Sequence, residues 1–421
     1  MEHIYDAYNG LWRSSAMEKT PYTEDFPEAL LVLPELFDGA IAHGRARKLK
    51  VEILRIGGTK RRLRLTDPGR GLWNETRFKQ WAASESQTTE HRNGHGHKKA
   101  MTKFAPDYKT ASWTVRYRKA GNNLITLTGP FMGDATKKVE SDDDETTLMP
   151  SGTETTIDFD SSVLGQYADD PRELLLAIKE IICTRYSEKT LREVEFQLEA
   201  DRLNDAGVME RFAANSRTDV WHSFRWHVEK GVEEGYIRAF EVDRVHISRG
   251  APWTLSVFKI LQKGNTSFAL KHEFPTYGKK SPTAQRVHIA LMNRTIELAY
   301  LYPFKGRQIA HNDDNGLIVF VNFTSDDLTK QPQPSTTKVT MYPNDEIYVQ
   351  FVADLRACLD GESYSSDGDV HRPAAKPERA LLIANDLGVS FHMRNGQVLV
   401  DFKDGTGMKP LTDYKLTPNT A

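Results

Sequence analysis

The segment from Lys48 to Asp67 constrains the fold more than any other stretch of this sequence. Apolar side chains alternate with charged ones on both sides of a Gly57-Gly58 pair, at Leu49, Val51, Ile53, Leu63 and Leu65. A period of two predicts strands that bury one face, and the glycine pair predicts the hairpin turn between them. Asp67 follows where the second strand is expected to end.

Helical and strand-like patterns succeed each other along the chain, and together they predict a mixed α/β protein. Residues 27–44 have apolar side chains at helical spacing, with Pro34 at a kink or in the first turn of a helix. Further strands are expected at 111–119, 122–131 and 152–159, and helices at 98–105, 171–186 and 188–203. A second series of strands at 236–248, 253–261, 286–293 and 316–323 precedes a helix over 344–359.

These patterns divide the chain into five parts. We expect a first domain over residues 1–165, a helical connecting region over 166–234 and a second β/α domain over 235–360. Residues 361–378 are polar with proline and glycine, which predicts a linker. Residues 379–421 predict a small β-rich tail.

Composition and charge exclude several classes of protein. The 421 residues include 56 basic and 58 acidic side chains, a net charge of −2, so no overall field attracts the chain to nucleic acid or membrane. Cys183 and Cys358 are far apart, which predicts no disulfide framework. No run of about 18 apolar residues and no signal-peptide pattern is present, so we expect a cytoplasmic protein, or a nuclear one in a eukaryote.

Four short motifs occur in order within residues 27–160. They are ELFDGAIAHG (35–44), DPGRG (67–71), NGHGHKKAM (93–101) and GTETTI (152–157). Asp67 at a strand end offers a fixed hydrogen-bond acceptor, with Gly69 and Gly71 leaving room for a ligand to approach the backbone. The alternative is a plain Asp-Pro-Gly turn with a solvent-facing charge.

The third motif allows three interpretations. Backbone N–H groups of Gly94 and Gly96, with the Lys98 ammonium, could surround phosphate oxygens at the start of a helix. A flexible glycine loop is the simpler alternative. The third is a zinc site, because the motif and its flank contain three histidines in seven residues, although no cysteine or carboxylate completes the set: His91, His95 and His97.

Taken together, the four motifs resemble the ATP-binding fold shared by gyrase, the large heat-shock chaperone, histidine kinases and MutL, the GHKL superfamily. The resemblance implies a two-layer α/β sandwich over residues 1–165 that binds ATP. It implies that Asp67 accepts the adenine amino group and that Glu35 is the general base that orients the attacking water. The other implied ATP-binding residues are Gly69, Gly71, Gly94, Gly96, Lys98 and Thr153.

The magnesium site of the family does not carry over completely. The position that holds its asparagine is Gly39, and a later acidic position of some branches is Ala42. Phosphates, waters and Asp38 could still hold Mg²⁺, which takes few protein ligands. Hydrolysis and binding without hydrolysis both stay open.

Residues 318–359 resemble the end of the transducer domain of MutL-like and MORC-like ATPases. In those proteins a loop lysine reaches the γ-phosphate, and Lys338 occupies that place here. Such a lysine neutralises charge on the transferring phosphoryl group when the two domains close. The alternative for Lys338 is an exposed lysine at a strand end.

A cluster of basic residues in and before the hairpin could contact DNA phosphates: Arg45, Arg47, Lys60, Arg61 and Arg62. A solvated sheet edge is the alternative that we favour. Four large aromatic residues are expected in the core: Trp221, Trp226, Tyr236 and Trp253.

The sequence therefore predicts an ATP-binding and ATP-hydrolysing conformational switch that forms a homodimer when ATP binds. DNA repair, topology or silencing is the setting that the MutL and MORC resemblance implies. The alternative is a nucleotide-binding scaffold that has lost catalysis and acts through protein contacts.

Overall fold

The structure, a computed structural model, describes residues 26–71, 96–105, 112–119, 123–130, 136–140, 151–261, 274, 286–306, 314, 316–335, 340–360, 390–394, 397–401 and 409–410. Helices cover two large sheets, so the protein is mixed α/β, as the sequence predicts. Within these ranges, no helix has the length and apolar character that crossing a membrane requires.

Among the described residues, eight strands form the first sheet: β1 (Lys48–Gly57), β2 (Lys60–Asp67), β3 (Ser112–Arg118), β4 (Leu124–Pro130), β5 (Thr136–Glu140), β6 (Gly152–Asp160), β7 (Glu195–Leu203) and β8 (Met209–Asn215). Their order in space is β5-β4-β3-β6-β2-β1-β7-β8. In this sheet β1 and β7 are paired in parallel, and the other neighbouring strands that the structure describes are antiparallel. The predicted hairpin is confirmed, with its turn at Gly58 and Thr59, one residue later than expected.

Six helices share a core with this sheet: α1 (Glu28–Leu31), α2 (Leu33–Asp38), α3 (Gly96–Phe104), α4 (Pro171–Arg185), α5 (Glu188–Glu193) and α6 (Phe224–Glu233). A π-helical turn (Gly39–His43) continues α2. Pro34 lies in the first turn of α2, where its missing N–H group costs nothing. Asp170 caps α4 because its carboxylate accepts hydrogen bonds from the N–H groups of Arg172 and Glu173.

The expected helix over 188–203 is wrong in its second half. Only Glu188–Glu193 is helical, and residues 195–203 form β7 beside β1. Phe196, Leu198 and Ala200 are buried at alternate positions, which is the period of a strand. Pairing with β1 gives residues 195–203 backbone hydrogen bonds and buries their apolar side chains. These two gains outweigh the helix propensity of the glutamate-rich sequence. Residues 166–234 therefore contribute β7 and β8 to the first sheet.

The second sheet has five strands: β9 (Ile237–Ser248), β10 (Ala251–Ile260), β11 (Arg286–Leu291), β12 (Arg294–Tyr300) and β13 (Leu317–Phe323). Their order is β12-β11-β13-β10-β9, and the sequence analysis missed β12. A short helix α7 (Leu301–Phe304) follows β12, and the expected last helix is α8 (Glu346–Asp360). Trp253 and Phe351 pack edge to face between the sheet and α8.

The other side of the second sheet joins the first core. Phe258 and Phe320 belong to the same apolar cluster as the first sheet, and Phe320 packs against both Phe258 and Phe224 of α6. Three of the four expected core aromatics are buried, and Trp226 is half-buried, with its ring 3.7 Å from that of His222. A third sheet is formed by β14 (Ser390–Arg394), β15 (Gln397–Asp401) and β16 (Lys409–Pro410).

Candidate functional site

Asp67 lies at the end of β2 and is almost completely buried. Its side chain is only 4% exposed, so the solvent-facing turn considered from the sequence does not occur. The carboxylate accepts a hydrogen bond of 3.0 Å from the Gly69 N–H group and a second from the Thr153 side chain. Thr153 lies directly opposite Asp67 in the register of β2 and β6. Burial raises the pKa of Asp67 from 3.8 to about 6, against the opposing effect of these two hydrogen bonds.

Four glycines in the segments beside Asp67 occupy positions where no side chain fits: Gly44, Gly69, Gly71 and Gly152. A Cβ atom on Gly44 or Gly69 would lie 3.3 or 2.7 Å from Oδ1 of the Asp67 carboxylate. On Gly71 it would lie 2.5 Å from the Arg118 carbonyl oxygen, and on Gly152 it would overlap the main-chain carbonyl of Asp67. Two glycines therefore lie against the carboxylate, and the other two allow close packing of the neighbouring backbone.

Sequence reasoning identified only part of this glycine set. Gly44 was missed, and Gly152 entered only through its place beside Thr153. A glycine between a helix and a strand, and another immediately before a strand, were the available signals. The Arg70 N–H group donates to the Gly44 carbonyl oxygen at 2.9 Å, which fixes the DPGRG turn to the end of the helical segment.

The third sequence motif, NGHGHKKAM (93–101), lies mainly outside the described residues. Gly94, His91 and His95 fall in residues 72–95, and only the backbone is described for residues 96–99 of α3, which include Gly96, His97 and Lys98. The buried face of α3 is formed by Ala100, Met101 and Phe104. The start of α3 is the part of the NGHGHKKAM motif that the structure describes. Among described residues, no group of three or more His, Cys, Asp or Glu side chains could hold a metal ion.

Glu35 lies in α2 and is buried. Burial lowers the pKa of two arginines, Arg185 at the end of α4 and Arg294 at the start of β12, and the negative charge of Glu35 opposes this effect at both. Residues 35 and 44 are nine positions apart, roughly 13 Å along a helix axis. Glu35 therefore lies near the start of this helical segment, and Asp67 lies beside Gly44 at its end.

Asp38 forms a buried ion pair with Arg294 and is not arranged to bind magnesium. Its two carboxylate oxygens accept hydrogen bonds from Nε and Nη2 of Arg294 at 3.2 and 3.1 Å. The Tyr186 hydroxyl donates to the same carboxylate at 2.8 Å. Burial disfavours the charged form of Arg294 and so lowers its pKa. The neighbouring Asp38 carboxylate outweighs this effect and keeps the pKa of the guanidinium above its ordinary value. Since Gly39 has no side-chain oxygen and Ala42 only a methyl group, the residues present do not fit a magnesium ion.

Buried contacts link the cluster of Glu35, Asp38, Arg185 and Arg294 to the second sheet. Arg185 donates to the backbone carbonyls of Thr295 and Ile296 in β12. Burial, reinforced by the nearby Arg294 charge, lowers the pKa of Arg185 to about 9, although Glu297 and Glu35 oppose the shift. Glu297 also accepts a hydrogen bond of 2.8 Å from the Met341 N–H group.

The expected lysine, Lys338, lies outside the described residues, which stop at 335 and resume at 340. The flanking residues are held together, since the Ser335 N–H group donates to the Thr340 carbonyl oxygen at 2.8 Å. Met341 binds Glu297, and Glu297 lies near Arg185, so this flank is attached to the same cluster as Glu35. The role of Lys338 stays a prediction.

The five basic residues of the hairpin do not form one free cationic surface. Arg61 is buried and donates to the Ala168 carbonyl oxygen at 3.0 Å. Arg62 binds both oxygens of Asp158, and Arg47 binds Glu193 at 2.8 Å. Arg45 and Lys60 are exposed. The sheet edge that the sequence suggested is wrong, because β1 and β2 lie between β6 and β7 inside the first sheet. The paired charges of Arg47 and Arg62 are those of a solvated surface.

Comparisons with known proteins add one structural likeness. The sequence matches no protein family and no curated protein. Among solved structures it is similar to the N-terminal domain of a DNA repair protein, with a TM-score of 0.45 and 12% sequence identity, over 78% of this chain and 92% of that one. Any functional conclusion therefore depends on this chain's own residues.

Proposed function

We propose that this chain binds ATP and that Asp67 accepts the amino group of the adenine ring. The observation that supports the proposal is a carboxylate buried at a strand end, with Gly44 and Gly69 directly against its Oδ1 atom. The carboxylate accepts hydrogen bonds from Gly69 and Thr153, yet burial still opposes its ionisation, so a further donor from a ligand would stabilise it. The amino group of adenine is such a donor.

The same geometry predicts discrimination between purines. Guanine has a carbonyl oxygen where adenine has its amino group, so two acceptors would face each other at Asp67. A site built to accept from a ligand N–H group rejects an analogue that lacks this group. ATP should therefore bind more tightly than GTP.

The rest of the proposed site follows from the resemblance in sequence. Gly94, Gly96 and Lys98 would contact the phosphates at the start of α3, where backbone N–H groups favour anions. Glu35 would orient water for hydrolysis, and Lys338 would reach the terminal phosphate from the second sheet domain. Closure of the two parts around ATP would make the chain a conformational switch. Dimer formation and a setting in DNA repair, topology or silencing are further predictions of that resemblance.

A second candidate function is supported by one specific observation. Asp38 is paired with Arg294 and Gly39 has no side chain, so neither residue offers a side-chain oxygen to magnesium. Mg²⁺ normally neutralises the charge that develops during phosphoryl transfer. The chain would then be a nucleotide-dependent scaffold that binds ATP without useful turnover.

The test is a calorimetric titration of ATP into the wild type and into Asp67→Asn. Asparagine keeps the size of the side chain, but its amide NH₂ group faces the adenine amino group donor to donor. We expect ATP affinity to fall by about 10- to 100-fold. Phosphate release measured on the wild-type sample separates the switch from the scaffold, since the scaffold stays at background.

The matched control is Asp201→Asn. Asp201 is also a buried aspartate of the first sheet whose carboxylate accepts a backbone hydrogen bond, from Arg55 at 2.7 Å. This variant should bind ATP like the wild type. Equal ATP affinity in the wild type and Asp67→Asn, or no binding by the wild type at millimolar ATP, would refute the proposal.

A further inference from the structure

Four buried charges meet beside α2 and neutralise one another. Glu35 and Asp38 supply two negative charges, and Arg185 and Arg294 supply two positive ones. Arg294 is held most firmly, because two of its nitrogens bind Asp38 and its guanidinium lies 4.7 Å from the centre of the Tyr186 ring. This face of α2 therefore already carries its compensating cations as side chains.

We propose that Arg294 takes the place of a divalent cation at this helix, so that the chain binds adenine nucleotide without requiring Mg²⁺. The inference rests on the proposed binding of nucleotide at Asp67. It adds that the nucleotide can bind without its metal ion. Arg294 acts as a positioning residue, since it contacts Asp38 and β12.

The donor chemistry supports this inference. Mg²⁺ prefers carboxylate, carbonyl and water oxygens in an octahedral arrangement. To use Asp38, the ion would have to displace two charge-assisted hydrogen bonds from Arg294 and one from Tyr186. Buried ion pairs of this kind are strongly unfavourable to break, because the displaced guanidinium would stay buried without a partner.

A metal held by the nucleotide alone would gain nothing from this protein. Free energy of binding changes only where the protein interacts differently with the two forms of the ligand. Phosphates and water surround Mg²⁺ equally in solution and beside a helix that offers no oxygen. Metal-free ATP carries more negative charge for Lys98 to attract, so removal of the metal should not weaken ATP binding.

The experiment compares ATP affinity by calorimetry in Mg²⁺ buffer and in chelator. For the wild type we expect the dissociation constant in chelator to be no more than about twofold above that in Mg²⁺ buffer. In Arg294→Met the Asp38 carboxylate loses its guanidinium and becomes an available ligand, so Mg²⁺ should strengthen binding by about tenfold or more. In the double variant Asp38→Asn/Arg294→Met, which buries no unpaired charge, the ratio should return to within about twofold.

The control is Arg225→Met, which removes an arginine that also binds both oxygens of an aspartate, Asp243, at 2.9 Å each. Its Mg²⁺ dependence should equal that of the wild type. Should Arg294→Met fail to fold, the wild-type ratio and the double variant still test the inference. Wild-type affinity that falls tenfold or more in chelator overturns the inference alone, whereas no binding in either buffer overturns nucleotide binding as well.

Discussion

At the scale of single residues, Asp67 shows how a buried carboxylate lowers stability. Its carboxylate is buried at the end of β2 with a pKa of about 6, compared with an ordinary value of 3.8. Ionising such a group in the folded chain at neutral pH costs about 3 kcal/mol. A cost of this size is typical of positions that are kept for a ligand.

This shift gives a prediction with a definite sign. Between about pH 4 and pH 6 the folded chain holds a proton that the unfolded chain has released, so the free energy of unfolding falls as pH rises through this interval. Asp67→Asn removes this titration and should be more stable than the wild type at neutral pH. Its free energy of unfolding in urea should exceed that of the wild type by a margin that grows by roughly 1 kcal/mol between pH 5 and pH 7.5. A constant difference at both pH values would contradict the assignment.

At the scale of secondary-structure elements, the site depends on how closely two strand ends approach. The first residue of β6, Gly152, has a φ of +127° and lies against the Asp67 carbonyl at the end of β2. A side chain at Gly152 would both strain the backbone and separate the strands, and Thr153 would then lose its contact with Asp67.

We therefore expect Gly152→Ala to destabilise the chain by about 2–4 kcal/mol in urea unfolding and to weaken ATP binding. The control is Gly250→Ala in the turn between β9 and β10. Gly250 also has a positive φ, +77°, but an added Cβ atom would meet nothing within 4 Å. Gly250→Ala should lower the free energy of unfolding by about 1 kcal/mol, the penalty of the backbone conformation alone. Equal losses in both variants would show that strand separation is unimportant.

At the scale of the whole molecule, Asp38 and Arg294 connect the helical layer of the first sheet to the edge of the second. The two residues are 256 positions apart in sequence. Both side chains are nearly inaccessible to solvent, so their interaction is screened little by water or salt. This pair makes the relative position of α2 and β12 part of the folding free energy.

A double-mutant cycle measures this connection. Asp38→Asn and Arg294→Met should each cost about 3–5 kcal/mol in urea unfolding, because each leaves its partner buried and uncompensated. The double variant should cost less than the sum of the two, with a coupling of about 2 kcal/mol or more. The same cycle on Arg225 and Asp243, whose side chains are 30% and 54% exposed, should give a coupling of about 1 kcal/mol or less. Equal couplings would refute the special position of the buried pair.

Local patterns in the sequence predicted most of the strands and helices. Apolar alternation identified β1 and β2, helical spacing identified α4, and both depend only on residues a few positions apart. The pattern failed at β7, where glutamate and leucine favour a helix but the space beside β1 favours a strand. It also failed at β12, whose Arg294 had no local signal.

The amino-acid sequence is sufficient to predict Asp67 at a strand end, flanked by Gly69 and Gly71, because turn chemistry is local. Its burial among Gly44 and Gly152 required the folded chain, since these glycines come from segments far apart in sequence. The pairing of Asp38 with Arg294 was equally invisible in the sequence. Which charges are buried together depends on contacts that form only when both sheets have packed, and no periodicity in sequence records them.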